Sequence, residues 1–161
     1  DGVEVDEQTN PLDYGSWPLG LGRWPDRSAV AQADGLSGGS GLSTGSVAAN
    51  LQLVDQFGNQ VRLHQFYGYV VVIGIGAMWC GPCQQAASSS QHLWEQHIDD
   101  GVIFLEVLME DNGGATPDTG DLMTWQNNFD IAYPVVSGSP QTSISSFPTF
   151  VFVGLYMLDT D

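Results

Sequence analysis

The sequence contains no lysine and only three arginines, Arg23, Arg27 and Arg62. Against these stand 19 aspartate and glutamate residues, so the formal net charge is -16. Proteins that bind nucleic acid backbones or anionic membrane surfaces need clustered lysine and arginine side chains. The composition therefore excludes that class of function, and we expect any macromolecular partner to dock through an apolar patch.

Long hydrophobic runs are missing as well. The longest covers residues 70–77, whereas a helix that spans a bilayer needs roughly 18 to 20 apolar residues. A run of this length is typical of a strand that is covered on both faces. The sequence starts at Asp1 and shows no signal peptide, so we expect that any targeting segment has already been removed.

The composition divides the chain into two parts. Residues 1–46 are rich in proline, glycine, aspartate and serine, show no hydrophobic period, and end in a linker over residues 37–46. We therefore predict an irregular extension over 1–46 and one globular domain over 47–161. The extension carries tryptophans, Trp24 among them, which leaves it open whether it packs on the domain or stays in solvent.

Hydrophobic periodicity predicts a mixed sheet in the domain. A β-hairpin is predicted over residues 51–63, and the strands that follow it are predicted at 70–77, 102–109, 133–136 and 147–153. The central strand, helix and strand in succession form a right-handed parallel crossover. The predicted fold class is therefore α/β.

Two helices are predicted between these strands. The first runs from about Cys80 to Ile98, and its inward face comprises Cys83, Ala86, Ala87, Ser90, Leu93, Trp94 and His97. The second follows Pro117 and turns three side chains inward, namely Leu122, Trp125 and Phe129.

The cysteine content is low, with only Cys80 and Cys83. A bond between residues so close in sequence closes too small a loop to stabilise a fold, so we expect the pair to serve chemistry. Both belong to Trp-Cys-Gly-Pro-Cys at residues 79–83, where a buried strand leads into a helix. Unpaired N–H groups and the positive end of the helix dipole favour a thiolate there. We predict that Cys80, at the exposed start, is a nucleophile with a lowered pKa, and that Cys83, facing the sheet, resolves the mixed disulfide.

The residues beside the cysteines fit this chemistry. Trp79 is expected to form an apolar shelf for the substrate, Gly81 to keep the approach open, and Pro82 to be tolerated in the first helical turn. Three alternatives remain: a structural zinc site, inert core cysteines, and a permanent disulfide without turnover. A zinc site needs four ligands, and with one cysteine pair and scattered histidines we expect neither a metal nor another cofactor.

The pentapeptide at 79–83 is identified as the thioredoxin active-site motif, and the surrounding elements resemble the thioredoxin fold. Within that superfamily the chain is more similar to the TlpA/ResA-like, redoxin-type proteins, because of the hairpin and an insertion at residues 110–118. The likeness covers about residues 47–153. It implies a thiol–disulfide oxidoreductase that acts on protein disulfides or dithiols, leans toward reduction, and works as a monomer outside the cytoplasm. Its electron donor or acceptor is unknown, and the resemblance allows a membrane tether outside this sequence.

The resemblance also assigns further residues. Phe147 and Pro148 resemble the start of the cis-proline loop that holds the substrate chain, with Pro148 as the cis residue and Phe147 narrowing the groove. The acid that thioredoxins carry six residues before the first cysteine is replaced by Gly74, and the glutamate of ResA-like proteins is replaced by Ala86. Glu106 lies alone in an apolar strand, where it either supplies the missing acid/base or simply reaches solvent near the sheet edge.

The end of the chain departs from the resemblance. The fold implies a closing helix after the late strand, and the sequence offers none, so this helix is either truncated or absent.

Two other functions fit the sequence less well. A thiol peroxidase is disfavoured because Ala77 and Ile73 stand where peroxiredoxins have threonine and proline. A copper-binding module of the SCO kind has three residues between its cysteines and a distal histidine, whereas this chain has two, and we expect His64, His92 and His97 near the surface.

Overall fold

The computed structural model describes residues 24–36, 39, 45–138 and 154–158. Its strands are β1 (Gln52–Asp55), β2 (Gln60–Arg62), β3 (Val70–Gly76), β4 (Val102–Leu108), β5 (Val135–Ser137) and β6 (Gly154–Leu158). Its helices are α1 (Ser28–Ala33), α2 (Gly81–His97) and α3 (Thr119–Phe129), with 3₁₀ turns at Leu63–Phe66 and Ile98–Asp100. In this part of the chain no helix combines the length and the apolar character that crossing a membrane requires.

The strands form one six-stranded mixed sheet in the order β2-β1-β5-β4-β3-β6. Strand β4 is parallel to both β3 and β5, whereas β1 pairs antiparallel with β2 and β5, and β6 pairs antiparallel with β3. Helix α2 connects β3 to β4, which is the parallel crossover predicted above. The α/β class, the mixed sheet and the N-terminal hairpin are therefore confirmed.

Both faces of the two central strands are covered, as a continuous β-branched run predicts. One face packs against the hairpin and the residues before it, through Val71, Ile73, Ile75, Ile103, Leu105 and Val107. The other face packs against α2 and α3, through Val72, Phe104 and Leu108. Alternation along each strand thus separates two hydrophobic layers, and the cysteines belong to the layer under α2.

Helix α2 buries a narrower stripe than predicted, formed by Cys83, Ala87 and Trp94. The expectation that Leu93 and His97 face inward is wrong, since both are exposed. Neighbouring helical positions differ by about 100°, so only one of a pair can face the core, and the larger Trp94 takes that place. His97 instead turns outward, where its Nδ1 lies 3.1 Å from Asp100 Oδ2.

Helix α3 begins at a capping box. Asp118 Oδ1 accepts from the Asp121 N–H at 3.0 Å, and Asp121 Oδ2 accepts from the Asp118 N–H at 3.0 Å. Leu122 and Trp125 are buried as predicted. Phe129 is only partly buried and packs edge-on against the Trp125 ring at 4.6 Å between centroids.

Residues 24–36 pack on the domain. Trp24 is 7% exposed, and its Nε1 donates to Asp55 Oδ2 at 2.7 Å. The Arg27 guanidinium lies 5.2 Å from the centre of the Tyr69 ring. The irregular structure predicted for the extension is wrong over α1, whose six residues form a helix with only Ala31 buried, too short for a period to be recognised. The domain boundary after residue 46 stays a prediction.

Predictions for the C-terminal part lie mostly outside the described residues. The strand predicted at 147–153 and the question of a closing helix fall there. Strand β6 is described, and its backbone pairs with β3 from Ile75↔Gly154 to Val71↔Leu158. The structure therefore places an antiparallel strand beside β3 slightly later in the sequence than the predicted apolar run.

Candidate active site

The motif at 79–83 lies at the carboxyl end of β3. The Met109 N–H donates to the Gly76 carbonyl at 2.8 Å, and the Met78 N–H donates to the Glu110 carbonyl at 2.9 Å, so the ends of β3 and β4 stay together beyond the ladder. Helix α2 then starts at Gly81, with Pro82 in its first turn. The carboxyl ends of parallel strands are where α/β proteins commonly place their sites.

Cys80 and Cys83 are joined by a disulfide, with their Cα atoms 5.2 Å apart. Cys80 is the N-cap of α2, and its Sγ accepts from the Cys83 N–H at 3.3 Å. A helix N-terminus presents unpaired N–H groups and a positive partial charge to this sulfur. The same donor would stabilise a thiolate after reduction, which is the property that a nucleophilic cysteine needs.

Cys80 is less exposed than predicted. Its exposed fraction is 7% and that of Cys83 is 3%. The Cys80 side chain turns toward the helix to bond Cys83, which removes it from the surface. The neighbours Trp79, Gly81 and Pro82 are exposed, so the disulfide lies directly beneath a surface that these three residues form.

Trp79 is 47% exposed, which is unusual for a large aromatic side chain. Its Nε1 donates to Glu110 Oε2 at 2.8 Å, so the indole is held by the loop that follows β4. An exposed ring fixed beside the disulfide presents apolar area with little loss of side-chain entropy on contact. The substrate-contacting role of Trp79 stays a prediction.

Glu106 lies on the face of β4 that packs against α2, and it pairs with Gly74 on the neighbouring strand β3. A Cβ atom built on Gly74 would lie 2.6 Å from Glu106 Oε2. A Cβ atom on Gly76 would lie 3.7 Å from Glu106 Oε1 and 3.2 Å from Cys83 Sγ. The carboxyl group and the buried sulfur are therefore neighbours across two glycines that leave room for them.

The position of Glu106 is electrostatically costly. The residue is half-buried, and burial raises the pKa of its carboxyl group from 4.5 to about 7. Strand β4 has a neighbour on each side, so Glu106 does not lie at the sheet edge, but the residue is partly exposed and its acid/base role stays a prediction. A carboxyl that titrates near neutral pH is suited to proton exchange.

Tyr133 was not predicted to belong to the site. It is 0% exposed, and its ring packs against Phe104 at 5.5 Å and Trp94 at 5.8 Å between centroids. Burial raises the pKa of Tyr133, the charge of Glu106 raises it further, and hydrogen bonding with the Ser90 side chain on α2 lowers it in part. Sequence reasoning missed this residue because only the pairing of β4 with β5 brings it to Glu106.

The remaining predicted residues occupy other places. Phe147 and Pro148 lie outside the described residues, so the cis-proline loop stays a prediction. Ala77 and Ile73 are fully buried apolar side chains. Arg27 lies beside Tyr69, which precedes β3 and is thus at the end of the strand away from the disulfide.

The histidines are also spread over the molecule. The Nε2 atom of His64 lies 2.8 Å from the carbonyl oxygen of Ala48, near the hairpin. His92 and His97 belong to the second half of α2 and are exposed. At a rise of about 1.5 Å per residue, His97 lies roughly 20 Å along the helix from Cys83.

Comparison with known proteins identifies the family of this chain. The model of the AhpC/TSA family matches residues 44–151. The chain belongs to the AhpC/TSA family. A search of curated proteins gives no match.

Solved structures show the same fold at low identity. A thiol:disulfide interchange protein from a Bacteroides species has a TM-score of 0.62 and 20% identity, over 74% of this chain and 76% of its own. The thioredoxin domain of a thiol-disulfide oxidoreductase from Bacteroides vulgatus has a TM-score of 0.61 and 20% identity, over 74% and 84%. A secreted disulfide oxidoreductase from Mycobacterium tuberculosis has a TM-score of 0.58 and 12% identity, over 68% and 76%.

These comparisons confirm the resemblance inferred from the motif. This AhpC/TSA family member has a thioredoxin fold, and the predicted redoxin-type, thioredoxin-like class is confirmed. Its paired cysteines occupy the start of the helix that follows the first central strand.

Proposed function

We propose that this protein catalyses thiol–disulfide exchange with protein substrates through the Cys80–Cys83 pair. The observation that carries the proposal is the bonded pair at the head of α2, where Cys80 Sγ accepts the Cys83 N–H. The solved structures of similar fold that are named as interchange proteins or oxidoreductases support the same chemistry.

The reduced protein would act in two steps. The Cys80 thiolate attacks one sulfur of a substrate disulfide, forming a mixed disulfide and releasing the first substrate thiolate. Cys83 then loses its proton and attacks Cys80 Sγ, which restores the Cys80–Cys83 bond and releases the second substrate thiolate. Two electrons pass to the substrate, and the released thiolates take up two protons.

Glu106 is proposed as the acid/base of the second step. Its carboxyl lies near Cys83 Sγ, since a Cβ atom on Gly76 would lie within 4 Å of both groups. The Cys83 proton would pass to the Glu106 carboxylate, which afterwards returns it to the leaving thiolate or to solvent. This arrangement replaces an acid at position 74 with one supplied by the neighbouring strand.

The substrate would dock over the exposed surface formed by Trp79, Gly81 and Pro82. We propose that Phe147 and Pro148 complete this surface, as the sequence resemblance implies. The net charge of -16 repels acidic proteins, so a substrate with neutral or basic flanks fits better.

The direction and the compartment are also part of the proposal. Gly-Pro between the cysteines leans toward a reductant by resemblance. The similar structure named as a secreted disulfide oxidoreductase supports a place outside the cytoplasm. We propose a monomer that receives electrons from an upstream dithiol.

A peroxidase mechanism is less well supported by the site. A peroxidatic pocket needs polar groups that hold the peroxide beside the cysteine. Ala77 and Ile73 offer none at the positions that correspond to the threonine and proline of peroxiredoxins.

An insulin-reduction assay with dithiothreitol tests the main proposal. We expect the wild-type protein to accelerate precipitation of the insulin B chain, and Cys80→Ser to match the rate without protein. Cys83→Ser is the matched control, since it retains the nucleophile but should accumulate the mixed disulfide, which mass spectrometry detects. Equal rates for wild type and Cys80→Ser would overturn the proposal.

A further inference from the structure

A buried polar cluster lies beneath the disulfide. The Glu106 N–H donates to the Pro134 carbonyl at 2.9 Å. This bond brings the residue before Pro134 to the face of β4 that packs against α2. That residue, Tyr133, packs its ring on Phe104, two positions before Glu106 on the same face. The tyrosine hydroxyl and the glutamate carboxyl therefore share the space between the sheet and α2.

The Tyr133 hydroxyl has an unusual environment. It is fully buried and, like Trp94 Nε1, Trp125 Nε1 and Gln126 Oε1 among the described residues, has no hydrogen-bond partner by distance and angle, although the Ser90 hydroxyl lies near enough to lower its pKa. A buried hydroxyl without a partner costs roughly 1–3 kcal/mol, and most such groups in native proteins are paired with protein or ordered water. A phenylalanine would fill the same space without this cost, so the hydroxyl calls for a functional explanation.

We propose that Tyr133 is a positioning residue for Glu106, whose ionised carboxylate accepts a hydrogen bond from a buried water that the Tyr133 hydroxyl holds. The inference rests on the proposed function, because it assigns Tyr133 a part in the proton transfer that serves Cys83. It adds a residue that neither the motif nor the sequence resemblance assigns.

The chemistry of the cluster favours this role. Tyrosine stays neutral beside a carboxylate, so it donates a hydrogen bond without competing for the Cys83 proton. A contact beyond direct hydrogen-bond distance is commonly bridged by water when polar groups on both sides are available. Ser90 faces the cluster from α2, but its hydroxyl donates to the Ala86 carbonyl at 2.8 Å.

The proton step balances within the cluster. Cys83 Sγ–H gives its proton to the Glu106 carboxylate, and the resulting thiolate attacks Cys80 Sγ of the mixed disulfide. The new Cys80–Cys83 bond forms as the bond to the substrate breaks, and the substrate thiolate leaves. Tyr133 keeps its own proton throughout and holds the carboxylate in reach of Cys83 before the transfer.

The groups that face Glu106 come from each packed element. From β3 they are the glycines at 74 and 76, from α2 Cys83, and from the segment before β5 Tyr133, which Ser90 on α2 approaches in turn. Phe104 and Trp94 enclose the tyrosine ring and carry no charge. Among these described neighbours only Tyr133 offers a titratable O–H donor to the carboxylate.

The test is the titration of the Glu106 carboxyl carbon by NMR in the oxidised, glutamate-labelled protein, with Glu106→Gln identifying the signal. We expect Tyr133→Phe to raise the Glu106 pKa by about one pH unit, because it removes a hydrogen bond to the charged form. Tyr67→Phe is the matched control, since Tyr67 OH donates to Asp34 Oδ2 at 2.9 Å on the surface. An unchanged Glu106 titration in Tyr133→Phe would overturn the proposal.

A second measurement keeps the proposal testable if Tyr133→Phe folds poorly. In the wild-type protein the Cζ shift of Tyr133 should follow the Glu106 titration, and in Glu106→Gln this inflection should vanish. A Tyr133 shift that stays flat through the Glu106 titration would overturn the proposal. Both readouts use the oxidised protein and need no turnover, so a failure of the insulin assay is distinguishable from a failure of this inference.

Discussion

The carboxyl group of Glu106 occupies the space that a side chain at Gly74 would fill. The two residues are opposite each other on adjacent parallel strands, and a Cβ atom on Gly74 would lie 2.6 Å from Glu106 Oε2. The absence of a side chain at Gly74 therefore leaves the space that the Glu106 carboxyl group occupies. The acid that the sequence resemblance expects on β3 is absent at Gly74, and the carboxyl group of a β4 residue lies near that position instead.

Gly74→Ala should displace this carboxyl. The added methyl group cannot coexist with Oε2 at 2.6 Å, so the side chain or the strands must move, at a cost of about 1–3 kcal/mol in the free energy of unfolding. Urea unfolding measures this cost. Gly81→Ala is the stability control, because a Cβ atom there meets nothing within 4 Å.

A double-mutant cycle identifies the cause of that cost. In a Glu106→Ala background the methyl group at position 74 has room, so the penalty of Gly74→Ala should shrink by about 1 kcal/mol or more. An equal penalty in both backgrounds would show that the carboxyl does not lie over Gly74.

The pH dependence of stability should carry the signature of Glu106. Burial raises its pKa from 4.5 to about 7, so between these values the folded protein keeps a proton that the unfolded chain has released. The free energy of unfolding therefore falls as pH rises through this window, and the loss is complete above about pH 7. The total is on the order of 3 kcal/mol.

Denaturant unfolding of wild type and Glu106→Gln from pH 4 to pH 8 measures this loss. Other titrating groups contribute equally to both proteins, so the difference between the two curves isolates Glu106. We expect the variant to gain stability relative to wild type as pH rises. A constant difference across the range would contradict the raised pKa.

Cys83 reactivity should follow the same group. In a Cys80→Ser background Cys83 is the only thiol, so alkylation reports it alone. With Glu106 present, the rate against pH should show two inflections, the lower near pH 7, because the carboxyl and the thiol titrate as a coupled pair. Glu106→Gln should leave a single inflection, and an unchanged profile would remove Glu106 from the mechanism.

The sequence predicts the parts of this site that depend on local rules. The sequence predicts a helix start where a buried strand is followed by a cysteine and then Gly-Pro. The structure places Cys80 there as the N-cap of the helix. The relation of Glu106 to Gly74 depends on the register of two strands whose paired residues are 32 positions apart in the sequence, which no local pattern predicts. Tyr133 depends on a further pairing, that of β4 with β5.

Errors in the sequence interpretation have equally local causes. The helical period alone does not decide between Leu93 and Trp94, because the buried stripe is narrow and includes one of them. Helix α1 is six residues long and buries a single alanine, so no amphipathic pattern marks it. It is held in place by tertiary contacts such as that between Trp24 and Asp55.

Trp24→Phe should therefore destabilise the domain. Asp55 is fully buried, and its carboxylate accepts from Trp24 Nε1 at 2.7 Å and from the Asn59 N–H at 2.7 Å. Loss of the indole donor leaves a buried charge with one hydrogen bond fewer, at a cost of about 1.5–3 kcal/mol. Thermal unfolding checks this, with Val30→Ala as the control because Val30 is 51% exposed. Equal melting temperatures for Trp24→Phe and Val30→Ala would contradict the anchoring role.

Salt should stabilise the protein through its net charge of -16. With 19 acidic residues against three arginines, the folded state brings like charges together, and its self-repulsion is greater than that of the extended chain. The Debye length falls from about 10 Å at 0.1 M salt to about 3 Å at 1 M, so most of this repulsion is screened within that range. We expect the melting temperature to rise by several degrees between 0.05 and 0.5 M NaCl and then to level off. Sodium sulfate at equal ionic strength is the control. If the salts act by screening, both raise the melting temperature equally. If sulfate acts by its exclusion from the protein surface, it raises the melting temperature further and without levelling off. A melting temperature that does not respond to NaCl below 0.5 M would mean that the acidic side chains are too far apart in the folded state to repel one another.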